Sequence, residues 1–188
     1  MKLIFALGNP EDRYSDTRHN IGFKIANSWL ETKGGSFQNK PKLKAELAEV
    51  SMGDEKIIVA KPSTYYNLVG ESYRAIIDFY KISPEDTLVI HDDIAINLGA
   101  VRIRSGGSSG GNNGIKSIIA HGGENSIRLR IGSASQLSSR IPKSNYVLGK
   151  LSTSDNKSLL EVYKTALGAI DDFIAGSITQ TTINTAKD

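Results

Sequence analysis

Two short apolar runs, KLIFAL over 2–7 and TLVI over 87–90, most restrict what this chain can become. A strand with one wet face alternates apolar and polar residues. A continuous run belongs to a strand covered on both faces, inside a sheet with helices on either side. Between and after these runs the apolar spacing is helical. Ile21, Ile25, Trp29 and Leu30 share one face before Lys33-Gly34-Gly35 ends the pattern. Tyr66, Val69, Tyr73, Ile76, Ile77 and Tyr80 do the same over 65–80, and a third helix is expected from Asn113 to His121. The longest stripe, over 155–175, uses positions 159, 160, 163, 166, 167, 170, 173 and 174.

Alternation returns at Leu43, Ala45, Leu47, Ala48 and Val50, and a Gly53-Asp54 turn leads to an apolar run over 57–60, which predicts a hairpin. Further strands are expected at 100–104 and 128–132. With strands and helices alternating and no linker or repeat, the fold class is α/β: one domain over 1–188, a mixed twisted sheet with helices on both faces. The polar tail over 176–188 is expected to be loose.

At 188 residues the chain can bury a core without staples, and it has no cysteine to supply disulfides or thiolate chemistry. No apolar run reaches the roughly 20 residues of a membrane span, and the N-terminal run is too short for a secretory signal, so a cytoplasmic location is expected. A net charge of +3 and a pI near 9.0 permit a polyanionic partner without requiring one.

Three polar clusters follow predicted strands, where open α/β sheets place their crevice. They are the segment from Asn9 to His19, the triplet His91-Asp92-Asp93, and the glycine loop over 106–114. Asn67, after Lys61-Pro62, would point the same way. A histidine, an aspartate and several asparagine amides converging on one cleft are suited to general-base hydrolysis: the histidine takes a proton from water and the aspartate fixes its tautomer. The glycine loop is not a Walker A loop, and no Gly-x-Gly-x-x-Gly follows the first strand. Gly107-Ser108-Ser109-Gly110-Gly111 does match a nucleophile elbow, but only His121 lies downstream of Ser109, so a serine esterase is the weaker reading. His91-Asp92-Asp93 has no second cluster to complete a metal site, and no cofactor or metal is expected. His121 is read as a helix cap. Arg102, Arg104, Lys116 and Arg130 are candidate phosphate contacts, balanced against an ordinary solvated face.

Taken in register, the motifs Gly8-Asn9-Pro10, Tyr14, Thr17-Arg18-His19-Asn20-x-Gly22, Lys61-Pro62-x-Thr64-Tyr65-x-Asn67-x-x-Gly70, His91-Asp92-Asp93, Gly110-Gly111-x-Asn113-Gly114 and Arg128-Leu129-Arg130-Ile131-Gly132 resemble the bacterial peptidyl-tRNA hydrolase family. The resemblance runs from residue 3 to about residue 150. It implies a monomeric enzyme that cleaves the ester between a peptide and the 3′ ribose of tRNA, recycling tRNA lost from translation. Carried onto these positions, His19 is the general base and Asp92 keeps it basic. Asn9 helps to select an N-blocked aminoacyl group. Tyr14, Tyr65, Asn67 and Asn113 hold the peptide and the tRNA 3′ end, and Arg104, Arg130 and Lys116 contact tRNA phosphate. Tyr14, Tyr65 and Tyr66 are candidates for stacking on the single-stranded 3′ end.

The chain departs from the family pattern in several places. Tyr66 stands where the family usually has Met, Ala95 replaces an Asp and Asn97 a Pro, and Ser109 and Asn112 replace histidines of the glycine loop. Ser133-Ala134-Ser135-Gln136 replaces a turn containing Gly and Pro. These departures motivate the alternative of a tRNA-binding protein with impaired turnover, against which the retention of His19 and Asp92 speaks.

Overall fold

In the computed structural model the two apolar runs lie side by side in the middle of one sheet, β1 (Lys2–Ala6) parallel to β5 (Thr87–Asn97) with Leu3 opposite Thr87 and Phe5 opposite Val89. The structure describes residues 1–135 and 138–185. In chain order the remaining elements are α1 (Ile21–Thr32), β2 (Gln38–Lys40), β3 (Ala45–Met52), β4 (Glu55–Pro62), α2 (Val69–Tyr80), β6 (Ala100–Ser105), α3 (Asn113–Ala120), β7 (Ile127–Ala134), α4 (Lys143–Val147), α5 (Thr153–Ala175) and β8 (Thr181–Asn184). The strand order is β2-β3-β4-β1-β5-β7-β6-β8. The inner neighbours β4, β1, β5 and β7 are mutually parallel, and the outer pairs are antiparallel, including the predicted β3–β4 hairpin.

Period-two geometry explains the continuous apolar runs. Leu3, Phe5 and Leu7 pack on one side with Tyr73 and Ile76 of α2 and Ile115 and Ile118 of α3. Ile4 and Ala6 pack on the other with Ile25 and Trp29 of α1 and Val162, Ile170 and Phe173 of α5. Both faces are covered, so each residue of the run has an apolar environment. Among the described residues no helix is long and apolar enough to cross a membrane.

Three differences from the sequence reading matter. Residues 181–184, inside the segment expected to be loose, instead form β8, paired antiparallel to β6 with Thr181 opposite Ile103. A four-residue polar strand has no periodicity to announce it; its backbone completes the edge of β6. Residues 186–188 of that segment, and Gln136 among the departures, lie outside the described residues. The helix expected over 65–80 is α2 preceded by a separate 3-10 turn at Tyr66–Leu68. Finally, β6 runs antiparallel to β7, with Ser105 opposite Ile127. The glycine loop therefore leaves the sheet at the edge opposite the C-terminal ends of β1, β4 and β5, and it reaches their edge only by running back.

Candidate active site

Because β1, β4 and β5 are parallel, their C-terminal ends share one edge, and each delivers part of the site. After β1 the chain passes through Asn9 and a 3-10 turn, Arg18–Asn20, that carries His19 into α1. Gly22 makes this approach possible: a Cβ there would sit 2.6 Å from Leu7 O and 2.7 Å from Ile90 O, inside the backbones of β1 and β5. After β4 come Tyr65, Tyr66 and Asn67, and Asp92 projects from β5 itself. The returning glycine loop supplies Asn112, whose Oδ1 caps α3 by accepting from the Ile115 amide at 3.0 Å.

A cleft of about 390 Å³ results. His19, Asp92, Asn9, Tyr14, Tyr65, Asn67 and Asn113, all singled out from sequence, line it together. So do Lys143, Ser144, Val147 and Leu148, which sequence reasoning missed. The first three belong to α4, and Leu148 is its C-cap. This helix is five residues long, too short to show a stripe, and tertiary contacts hold it: Tyr146 donates to Ser133 O of β7 and sits under the guanidinium of Arg18, 128 positions earlier, at 4.2 Å.

His19 Nδ1 is 2.8 Å from Asp92 Oδ1. An ionised carboxylate only accepts, so the proton sits on Nδ1 and the Nε2 lone pair is left for other chemistry. Asp92 is 1% exposed, whereas the His19 side chain retains 17% of its surface. The imidazole is thus within reach of water while its partner is not. The Tyr66 ring stacks on the imidazole at 3.9 Å and 11°, and its hydroxyl donates to the same Asp92 oxygen at 2.8 Å. Burial, with the neighbouring Asp92 charge, pushes the Tyr66 hydroxyl well above its ordinary range, so it stays protonated. Of the three stacking candidates Tyr66 has the least surface to offer, being 5% exposed where Tyr65 is 50% exposed.

Asn9 is clamped at both ends. Its backbone exchanges hydrogen bonds with the Asn20 side chain, and its Oδ1 accepts from the Tyr66 amide at 2.9 Å. That acceptor fixes the amide, so Nδ2 is the end presented to the cleft. Tyr65 donates to Glu11 at 2.6 Å, which ties the two flanking loops together.

The basic candidates separate. Arg104 and Arg130 line a second cavity of about 270 Å³ beside the glycine loop, together with Arg128 and His91, while Lys116 is exposed on α3 and lines neither cavity. Arg104 donates to Ile103 O, Thr181 O and Thr182 Oγ1, all neutral acceptors. Arg102 shares Thr182 Oγ1. Arg130 instead spends Nε and Nη2 on Asp93 Oδ2, both at 2.7 Å. Buried Arg128 is structural, holding Gly107 O and Ser108 O of the loop. Buried His91 donates Nδ1–H to Asp92 O, and desolvation pushes its pKa below the ordinary histidine value. The elbow-like serine is not assembled into a triad: Ser109 Oγ accepts from the Gly111 amide, and His121, beyond the far end of α3, caps it through Ser117 O.

An open mixed α/β sheet whose edge holds a paired histidine and aspartate among fixed amides has the layout that general-base hydrolysis requires. A family model described as peptidyl-tRNA hydrolase matches residues 3–188. The peptidyl-tRNA hydrolase of Ligilactobacillus salivarius is 38% identical over 185 residues, covering 98% of each chain, and that of Clostridium novyi is 41% identical over 175 residues, covering 93% of this chain and 92% of its own. The crystal structure of peptidyl-tRNA hydrolase from Acinetobacter baumannii superposes with a TM-score of 0.86 at 33% identity, covering 94% of this chain and 89% of that one. The chain belongs to the peptidyl-tRNA hydrolase family.

Proposed function

We propose that this chain hydrolyses the ester between a peptide, or an N-blocked aminoacyl group, and the 3′ ribose of tRNA, acting as a cytoplasmic monomer of one domain. The observation that carries the mechanism is the 2.8 Å bond from His19 Nδ1 to buried Asp92, which leaves Nε2 basic in a cleft lined by asparagine amides.

In this mechanism His19 Nε2 takes a proton from a water as its oxygen attacks the ester carbonyl carbon, and Asp92 stabilises the imidazolium so formed. Asn9 Nδ2 donates to the acyl oxygen as charge develops on it, and Asn67 and Asn113 orient the substrate. Collapse of the tetrahedral intermediate breaks the bond to the ribose 3′ oxygen, which takes the proton back from His19. An ester is already activated relative to an amide, so a positioned water, a base and oriented amides suffice. Tyr14 and Tyr65 flank the cleft for the peptide and the unpaired 3′ end. Arg104, with Arg130 and Lys116, holds phosphate, so binding is salt-dependent.

The test is acyl release from N-acetylaminoacyl-tRNA, with free aminoacyl-tRNA as the control, for wild type and His19→Ala. Selective cleavage of the blocked ester, lost in the variant while tRNA remains bound, supports the proposal. Binding without cleavage by wild type would make the chain a tRNA binder instead.

A further inference from the structure

Tyr66 occupies a position where the family pattern usually has Met, and its surroundings give the hydroxyl one defined direction. Asn112 Oδ1 is committed to the Ile115 amide at the start of α3. Its Nδ2 must therefore be the group facing Tyr66, donating to the phenolic oxygen at 3.0 Å and to Asp92 O at 3.3 Å. An amide donor cannot accept the phenolic proton, so that proton goes to Asp92 Oδ1 at 2.8 Å. The same oxygen accepts from His19 Nδ1 at 2.8 Å. Both residues that build this relay, Tyr66 and Asn112, are departures from the family pattern, and they touch each other.

We propose that Tyr66 is a positioning residue, whose hydroxyl, aimed by Asn112, shares Asp92 Oδ1 with His19 and sets the pH at which the histidine takes up a proton. The proposal rests on the general-base reading of His19. A carboxylate oxygen that accepts a second hydrogen bond has its charge partly satisfied and stabilises an imidazolium less. The relay thus keeps His19 unprotonated, and so active as a base, to lower pH than a lone aspartate would. The stacked ring adds orientation by covering one imidazole face. Close packing maintains the arrangement: a Cβ at Gly114 would fall 2.6 Å from Tyr66 Cε1 and 2.6 Å from Leu7 Cδ2, so glycine leaves room for the ring.

Other groups around His19 are constant between the variants that test this. Asp92 and Asp93 face it from β5, with Asp93 held by Arg130 of β7. Lys143 comes from α4, Tyr14 and Tyr65 from the flanking loops, and His91 lies behind Asp92 with its protonation opposed by burial. Arg18, the neighbour in sequence, is turned away to Asp155.

The experiment follows the His19 imidazole resonances of the full chain by NMR between roughly pH 5 and 8, where histidine titrates. With three histidines in the chain, His19→Ala assigns the signal. In Tyr66→Phe the midpoint should rise by about half a unit or more, as expected for losing one hydrogen bond to a charged group. In Asn112→Ser, which can still cap α3 but lacks the amide donor, it should rise by less. The acidic limb of N-acetylaminoacyl-tRNA hydrolysis should move up in parallel. A midpoint that is unchanged or lowered in both variants overturns the proposal. Absence of hydrolysis by wild type would sink the proposed function instead, and the ring titration would still decide the role of Tyr66.

Discussion

His19 Nδ1 and Asp92 Oδ1 are 2.8 Å apart although 73 residues separate them in sequence, and the contact exists because β1 and β5 are adjacent and parallel. Replacing Asp92 with Asn would offer an amide to a ring nitrogen that now donates to a carboxylate. The imidazole would be left in either tautomer and without charge stabilisation. Hydrolysis of N-acetylaminoacyl-tRNA by Asp92→Asn should fall by roughly 10²–10⁴-fold with tRNA affinity little changed. Filter binding alongside single-turnover cleavage measures both; equal losses in the two would point to a binding role for Asp92.

Asn9→Asp separates the two ends of a clamped amide. The acceptor for the Tyr66 amide is kept, and the donor facing the cleft becomes an oxygen. A developing oxyanion would then meet a repulsive group, so turnover should fall by about 10²–10³-fold. The far-ultraviolet circular dichroism spectrum should remain that of wild type. Activity near wild type would show that the acyl oxygen is stabilised elsewhere.

Much of this site was legible because several of its parts directly follow apolar runs. The continuous apolar runs identified β1 and the buried start of β5, and the polar residues just beyond them are the ones that line the cleft. What stayed hidden depends on tertiary contacts. Five residues of α4 carry no periodicity and are placed by tertiary contacts, to Ser133 at the end of β7 and to Arg18, which is far away in sequence. Thr181–Asn184 become a strand only because β6 offers an edge. Tyr66 fits an apolar helical stripe equally well as a core residue, and only the fold reveals that its hydroxyl reaches Asp92. The opposite direction of β6, and hence the return path of the glycine loop, could not be read from local pattern either.

Arg104 and Arg130 should differ in their contribution to salt dependence. Arg104 bonds neutral oxygens and keeps a full positive charge for a phosphate, whereas Arg130 is already paired with Asp93. Arg104→Ala should weaken tRNA binding and reduce the slope of log K against log salt by about 0.7–0.9, the value for one phosphate contact. The rate of the chemical step at saturation should be little affected. A slope identical to wild type in binding measured over a salt series would remove Arg104 from the phosphate contacts.

His91 makes stability depend on pH. Burial lowers its folded-state pKa, so as pH falls below the unfolded value of about 6.5 the unfolded chain binds the proton first. The stabilising contribution of neutral His91 is therefore complete above that pH and is lost as pH falls toward the folded pKa. Thermal melts at pH 7 and pH 5 should show a larger drop in Tm for wild type than for His91→Gln, which cannot titrate. Parallel drops would assign the acid sensitivity to other groups.

Arg18 joins the turn bearing His19 to the far side of the cleft, and it does so with several acceptors at once. Its guanidinium pairs with Asp155 at 3.0 Å, donates to Gly149 O and Lys150 O at 3.2 Å each, and lies over the Tyr146 ring. Asp155 is itself fixed by the capping box at the start of α5, where it accepts from the Ser152 amide. A lysine supplies one compact charge without the planar fork, so Arg18→Lys can keep the ion pair or the carbonyls but not the whole set. Because the ion pair can survive, stability should fall by less than the roughly 3–5 kcal/mol that removing one partner of a buried pair costs. Because α4 is held through the same guanidinium, the cleft wall should loosen as well. The expected signature is a raised KM for N-acetylaminoacyl-tRNA with a smaller change in kcat, together with faster amide exchange over 143–150. A variant with wild-type exchange in that segment and a wild-type Tm would show that α4 is held by Tyr146 and Ser133 alone.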